Sequence, residues 1–301
     1  MLEQMFTQIS FLIRLRRAIT AALLSAASFG SAQEAETADT TTTEIITPTV
    51  TPTAEILPSE TTVTGRVVWN DITPEPQRVR VYRDARFCGD KGEMELPTLQ
   101  VDAKTLGVSG AVVSLTGTVR PTAFTSTSLA EIYPYRFSDC TVLPQLQLVP
   151  AGARVEIRSA DFVSHDIEIA DPAGNPILEH PLIGENDRTV WRTQKPGQHT
   201  LRCKLHGWEL GYIFVLENQF SVITGADGTF SISNVPRGNY TLTAWHPALR
   251  LVAEEKNGRI VGYHPGEALT ASTNIGISPP RTLLVNLELN SAETENSGPN
   301  R

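Results

Sequence analysis

The sequence has no long helical pattern, no basic cluster and, outside its first thirty residues, no apolar run that approaches membrane length. Its 25 lysines and arginines are scattered among 33 acidic residues, for a net charge of −8. A phosphate backbone would find no electrostatic footprint here, so nucleic acid is not an expected partner. A nucleophile elbow, a zincin helix and a phosphate-binding loop are all missing. An enzyme is therefore not expected.

The start of the chain carries a different signal. "FLIRLRRAITAALLSAASFGSAQ" places Arg14, Arg16 and Arg17 ahead of an apolar run over 18–29, with the small residues Gly30 and Ala32 set before Gln33. That order marks residues 1–32 as a secretory signal peptide cleaved on export to the periplasm or beyond. The apolar run falls short of the ~20 residues needed to cross a bilayer, so no membrane span is expected after cleavage. Residues 33–62 are rich in Thr, Pro and Glu, and residues 291–301 in small polar side chains. Both hold too few apolar residues to offset chain entropy and read as a disordered linker and a disordered tail.

Between them the chain reads as all-β. "TGRVVWND", "QRVRVYRD", "GAVVSLTG", "ARVEIRSA", "SHDIEIAD", "FSVITG", "TFSISNV", "NYTLTAWH" and "TLLVNLEL" alternate with a period of two, and Gly, Pro, Asn and Asp separate them. Many short strands at this spacing make a sandwich or a small barrel.

The stretch "HTLRCKLHGWELGYIFV" contains Cys203, His206 and Glu209 at three-residue intervals at the end of a strand-like run. A thiolate and an imidazole so placed can point into one pocket and hold a metal. A buried cysteine on an apolar strand is otherwise an ordinary small core residue. There are three cysteines in all, an odd number for an exported chain. With Cys203 reserved as a ligand, Cys88 and Cys140 remain to form a disulfide; the alternative is three free or mispaired thiols.

Other polar residues carry weaker signals. His180 and His199 read as surface-loop or strand-edge side chains. His246 and His264 each precede a proline and suggest turns. Asp161, Asp166 and Glu168 lie near His165, and the alternation of Asp166 and Glu168 with Ile167 and Ile169 assigns these two to a solvated strand face. Trp208 reads equally as a lid over a metal and as packing between domains.

Two family resemblances interleave. "TGRVVWND" and "SGAVVSLTG", with the later "TGADGTFSISNVPRGNYTLTAWHP", resemble the carboxypeptidase regulatory-like domain, a small transthyretin-like sandwich. In the later segment Asp227-Gly228 makes a tight turn, Phe230 and Ile232 point inward, and Pro236, Gly238 and Tyr240 form the next turn and strand. The stretch between the two halves, "PQLQLVPAGARVEIRSADFVSHDIEIAD" and then "KPGQHTLRCKLHGWELGYIFV", resembles a cupredoxin, the blue-copper fold. Gly152, Val155 and Ile157 match the strand before the family's first histidine ligand, which falls on His165. Pro196-Gly197 matches the turn into the strand that ends on the cysteine ligand.

The resemblance implies a cupredoxin-like Greek-key sandwich over 120–218, inserted in or packed against a regulatory-like sandwich built from 63–119 and 219–290. The whole is similar to exported proteins of the methylamine utilization type. It implies one copper held by Cys203, His165 and His206, and a possible redox partner protein. The family's axial methionine is replaced by Glu209. A hard carboxylate favours Cu(II) over Cu(I), or suits Zn(II) as a less favoured alternative. Glu209 facing outward is the other possibility. The implied function is electron transfer or copper holding. The competing reading is a metal-free structural or carbohydrate-associated module outside the cytoplasm.

Overall fold

The computed structural model describes residues 61–117, 124–278 and 282–290. The signal peptide, nearly all of the linker and the tail lie outside the described residues.

The expected alternation becomes two β-sandwiches, one inserted into the other. In the outer sandwich Thr61–Trp69 pairs antiparallel with Thr229–Val235 and parallel with Thr282–Leu284 and Leu287–Leu289. Alternate residues of Thr61–Trp69 are buried along its full length, which is the period of a strand with one face on a core. The facing sheet runs Ser221–Ile223, Val112–Gly117, Gly238–His246, Leu269–Ile277. Val63, Val67, Trp69, Leu115, Phe230 and Leu242 join the two layers in one core. Asp227-Gly228 makes the anticipated turn, with Gly228 at φ +80°, and the Tyr240 hydroxyl donates to the Pro236 carbonyl at 2.8 Å. Close approach fixes another glycine: a β-carbon on Gly65 would lie 1.7 Å from the Val285 carbonyl oxygen.

The inner sandwich is built from the chain between those halves. Its five-stranded sheet runs Pro176–Leu182, His165–Ala170, Gly197–Cys203, Leu210–Leu216, Leu146–Pro150. The opposing sheet runs Arg188–Arg192, Arg154–Ser159, Ile132–Ser138, Thr141–Leu143. Tyr135, Phe137, Val155, Ile157, Ile167 and Leu201 fill the space between them. Two pairings are parallel, Leu210–Leu216 with Leu146–Pro150 and Ile132–Ser138 with Arg154–Ser159. Parallel neighbours need crossover connections, so strands of one layer are joined through the other.

A third core was not anticipated. The hairpins Arg78–Arg80 with Glu93–Glu95 and Leu251–Lys256 with Arg259–Pro265 are arms of the outer sandwich. Val79, Val81, Cys88 and Tyr263 from this part of the chain pack with Cys140 and Trp208 of the inner unit. The arms thereby cover one end of the inner sandwich.

Several local expectations are corrected. "QRVRVYRD" yields only a three-residue strand, and "TLLVNLEL" breaks at Val285–Asn286 into two. His246 ends Gly238–His246 and His264 lies within Arg259–Pro265, so both belong to strands rather than turns. Glu168 is buried, because Arg202 on the adjacent strand reaches over it with Nη2 at 2.7 Å from Oε1. His199 is also buried: its strand lies inside the five-stranded sheet, and the Trp191 ring covers it at 5.3 Å. No described helix is long and apolar enough to cross a membrane.

Candidate metal centre

Strand direction explains how three distant side chains meet. His165 is the first residue of its strand and Cys203 the last of the antiparallel neighbour, so both stand at the same end of the five-stranded sheet. The chain then turns and re-enters that sheet at Leu210, with Glu209 immediately before it. The turn is closed by the main chain: Cys203 N donates to Glu209 O at 3.2 Å and Glu209 N donates to His206 O at 2.8 Å. Spacing alone brings His206 and Glu209 back over Cys203, while His165 depends on sheet pairing.

The four side chains converge. One donor atom from each of His165, Cys203, His206 and Glu209 lies within 4.8 Å of all the others. Glu209 Oε2 is 2.9 Å from His165 Nδ1 and 3.5 Å from His206 Nδ1, and Cys203 Sγ is 3.6 Å from His206 Nδ1. All four residues are buried, Glu209 at 1% exposure and the others at 0%. Glu209 is thus turned inward. Cys203 is a free thiol, while Cys88 and Cys140 form the disulfide that the cysteine count suggested.

Burial by itself lowers the affinity of an imidazole for a proton. Here the opposing effect wins. Hydrogen bonding to Cys203 and Glu209, together with the Glu209 charge, raises His165 to about 9 and His206 to about 10. Burial would likewise raise Glu209, but the two imidazoles hold it below the ordinary carboxylate range. Without a metal the cluster is balanced by protons on its histidines.

The donor set fits a metal ion on two grounds. A soft sulfur, two imidazole nitrogens and a carboxylate oxygen are the ligand types of copper and zinc sites. In addition, Glu209 Oε1 is a buried oxygen with no hydrogen-bond partner. Such a group is costly to keep in a protein interior unless something else neutralises it. Asp161 and Cys140 also approach Glu209, but the Cys140 sulfur is committed to the disulfide.

The surrounding contacts come from segments that sequence reasoning passed over. The Asp84 carboxylate is 2.9 Å from His206 Nε2, and the Tyr82 hydroxyl accepts from Gly207 N at 2.9 Å. Asp84 and Tyr82 had no local signal, being 122 and 125 residues from their partners. Asp161 was noted beside His165 but not given a role; its Oδ2 is 3.3 Å from His165 Nε2. Trp208 packs between the two units, and it also stands beside His206. Its ring is 5.3 Å from that of His206, and its Nε1 donates to the Cys140 carbonyl at 3.2 Å in the third core.

A family model described as polysaccharide lyase family 4, domain II, matches residues 206–257. No curated protein matches the chain. Among solved structures, a purple cupredoxin from Nitrosopumilus maritimus is 22% identical with a TM-score of 0.25, over 28% of this chain and 99% of that one. Amicyanin from Paracoccus versutus is 13% identical with a TM-score of 0.26, over 34% of this chain and 98% of that one. A copper-containing nitrite reductase from Thermus scotoductus is 23% identical with a TM-score of 0.27, over 32% of this chain and 25% of the reductase.

Proposed function

We propose that the inner sandwich is a cupredoxin-like unit that holds one copper ion through His165, Cys203, His206 and Glu209, in a protein exported from the cytoplasm. The observation that carries this reading is the convergence of four buried donors of three chemical kinds within 4.8 Å. Copper at such a site supplies one-electron chemistry. The chain's own residues define the cage: Cys203 offers the soft donor, the two imidazoles offer borderline nitrogens, and Glu209 offers a hard, charged oxygen.

Copper holding fits this cage better than rapid electron exchange. Glu209, Asp161 and Asp84 put three carboxylates around the donors, and negative surroundings favour the doubly charged ion. Both imidazoles are fully covered, so neither presents an edge to a partner. One observation keeps electron transfer to a redox partner protein as the second reading: the rings of His206, Trp208 and Tyr82 follow one another at 5.3 and 5.4 Å, and Tyr82 is half-exposed. The outer sandwich, of the carboxypeptidase regulatory-like type, serves as the scaffold whose arms close the site. Export is supported by the Cys88–Cys140 disulfide, which persists in an oxidising compartment.

Metal analysis of the protein recovered from its exported fraction tests the reading. One copper per chain and a thiolate-to-Cu(II) absorption that vanishes in Cys203→Ser are expected. Stoichiometric zinc would reassign the native metal. If neither metal binds while Cys203 is reduced, the reading fails and a metal-free structural or binding module takes its place.

A further inference from the structure

Each imidazole of the cluster has a second nitrogen, and each second nitrogen faces a carboxylate outside the donor set. His206 Nε2 is 2.9 Å from Asp84 Oδ2, and His165 Nε2 is 3.3 Å from Asp161 Oδ2. His206 makes a hydrogen bond in this way. His165 Nε2 is near enough for electrostatic attraction but is not aligned for a hydrogen bond. A histidine that binds metal through one nitrogen is commonly oriented by a carboxylate on the other, which fixes the tautomer and makes the ligand more basic.

The two carboxylates come from different sandwiches, and one covalent bond ties their segments together. Asp84 sits in the left-handed region at φ 50°, and its carbonyl accepts from Phe87 N at 2.8 Å and Cys88 N at 2.9 Å. That turn places Asp84 four residues ahead of the disulfide. On the other side, Asp139 and Cys140, at φ 52° and 55°, form the two-residue turn between Ile132–Ser138 and Thr141–Leu143. Positive φ at both central residues is the requirement of a type I′ hairpin turn. The Asp161 carboxylate accepts from both of their amides, at 2.7 Å from Asp139 N and 3.0 Å from Cys140 N. One half of the disulfide thus supports the group behind His206, and the other half supports the group behind His165.

We infer that Asp84 and Asp161 are positioning residues of the centre, one behind each imidazole, and that the Cys88–Cys140 disulfide holds them there. The inference rests on the metal-site reading above and extends it: the centre takes its four donors from the inner sandwich and its orientation partly from the outer one. Asp84 is the more informative of the pair. It is 37% exposed, and among the described residues its only other close charge is Arg83, with Nε at 3.6 Å, and its carboxylate holds no main-chain turn. Asp161 does carry such a turn, so its loss would confound positioning with folding.

The test is titration with Co(II) alone, which reports thiolate coordination by absorption and does not oxidise cysteine, against a competing chelator. Asp84→Ala should weaken Co(II) binding by about 10–100-fold, the usual effect of removing an outer partner of a ligand histidine. Circular dichroism of the metal-free protein should hardly move, and its urea midpoint should fall only slightly, because Ala tolerates the left-handed backbone of residue 84 less well than Asp. Asp84→Asn retains an acceptor oxygen for His206 Nε2 and should recover much of the lost affinity. In the Cys88→Ala/Cys140→Ala protein, adding Asp84→Ala should cost much less than it does in the wild type, because the two changes remove one support. Wild-type affinity in Asp84→Ala, or full additivity with the disulfide variant, would overturn the inference. Failure of the wild-type chain itself to take up Co(II), Cu(II) or Zn(II) would instead overturn the metal reading on which it rests.

Discussion

Glu209 Oε2 lies 2.9 Å from His165 Nδ1, joining two residues 44 positions apart at the same end of one sheet. In the proposed copper centre this carboxylate takes the place of the methionine that the resemblance to cupredoxins implies. Glu209→Met should leave copper bound and raise its reduction potential by at least ~59 mV, which is a tenfold change in the preference between Cu(II) and Cu(I). Spectroelectrochemistry of the copper-loaded variant reads the shift. An unchanged potential, with the thiolate absorption intact, would remove Glu209 from the ligand set.

The protonated histidines give the metal-free protein a distinctive pH dependence. An unfolded imidazole titrates near ~6.5, whereas His165 and His206 hold their protons to about 9 and about 10 in the folded chain. Their stabilising contribution is complete below the unfolded value and is lost as pH rises through the folded ones. Glu209 acts in the opposite sense, losing its contribution as pH falls through its lowered value. The thermal midpoint of metal-free protein should therefore decline between pH 7 and pH 10. A flat or rising midpoint over that window would contradict the charge balance inferred for the metal-free cluster.

Removing the disulfide should be costly even without metal. Cys88 and Cys140 are 52 residues apart, and closing a loop of that size stabilises by about 4 kcal/mol in the chain-entropy model. Cys88→Ala/Cys140→Ala should lower the urea midpoint accordingly. Peptide mapping without reductant should find Cys203 unpaired, in keeping with its burial as a free thiol.

Gly207 marks where the outer arms touch the loop between Cys203 and Glu209. A β-carbon there would fall 2.8 Å from Tyr263 N and 2.9 Å from the Tyr82 hydroxyl. Gly207→Ala should push the arms away, at a cost of about 1–3 kcal/mol for overpacking. Metal affinity should fall in parallel, because Asp84 follows Tyr82 by two residues. Affinity unchanged despite a lower urea midpoint would separate the arms from the centre.

Much of this architecture was legible in the residues. Period-two alternation reports which face of a strand meets a core, and it marked Phe230, Ile232, Ile167 and Ile169 without knowledge of their partners. The three-residue intervals of Cys203, His206 and Glu209 are local, so a single turn suffices to gather them. His165 was reached through a family pattern, and strand pairing places it beside that turn. Alternation misled at Glu168, and His199 was expected at a surface loop or strand edge; both are covered, because the position of a strand within its sheet and the side chains crossing over it decide whether a polar residue is exposed. Asp84 was out of reach altogether. Nothing near "YRDARFC" indicates an imidazole 122 residues away, and the two meet only because the arms of one sandwich fold across the end of the other. The residues determined the strands and the turn that gathers Cys203, His206 and Glu209, since both depend on neighbours in the chain. Tertiary packing decided what stands behind the two imidazoles, since that depends on how two distinct cores pack against each other.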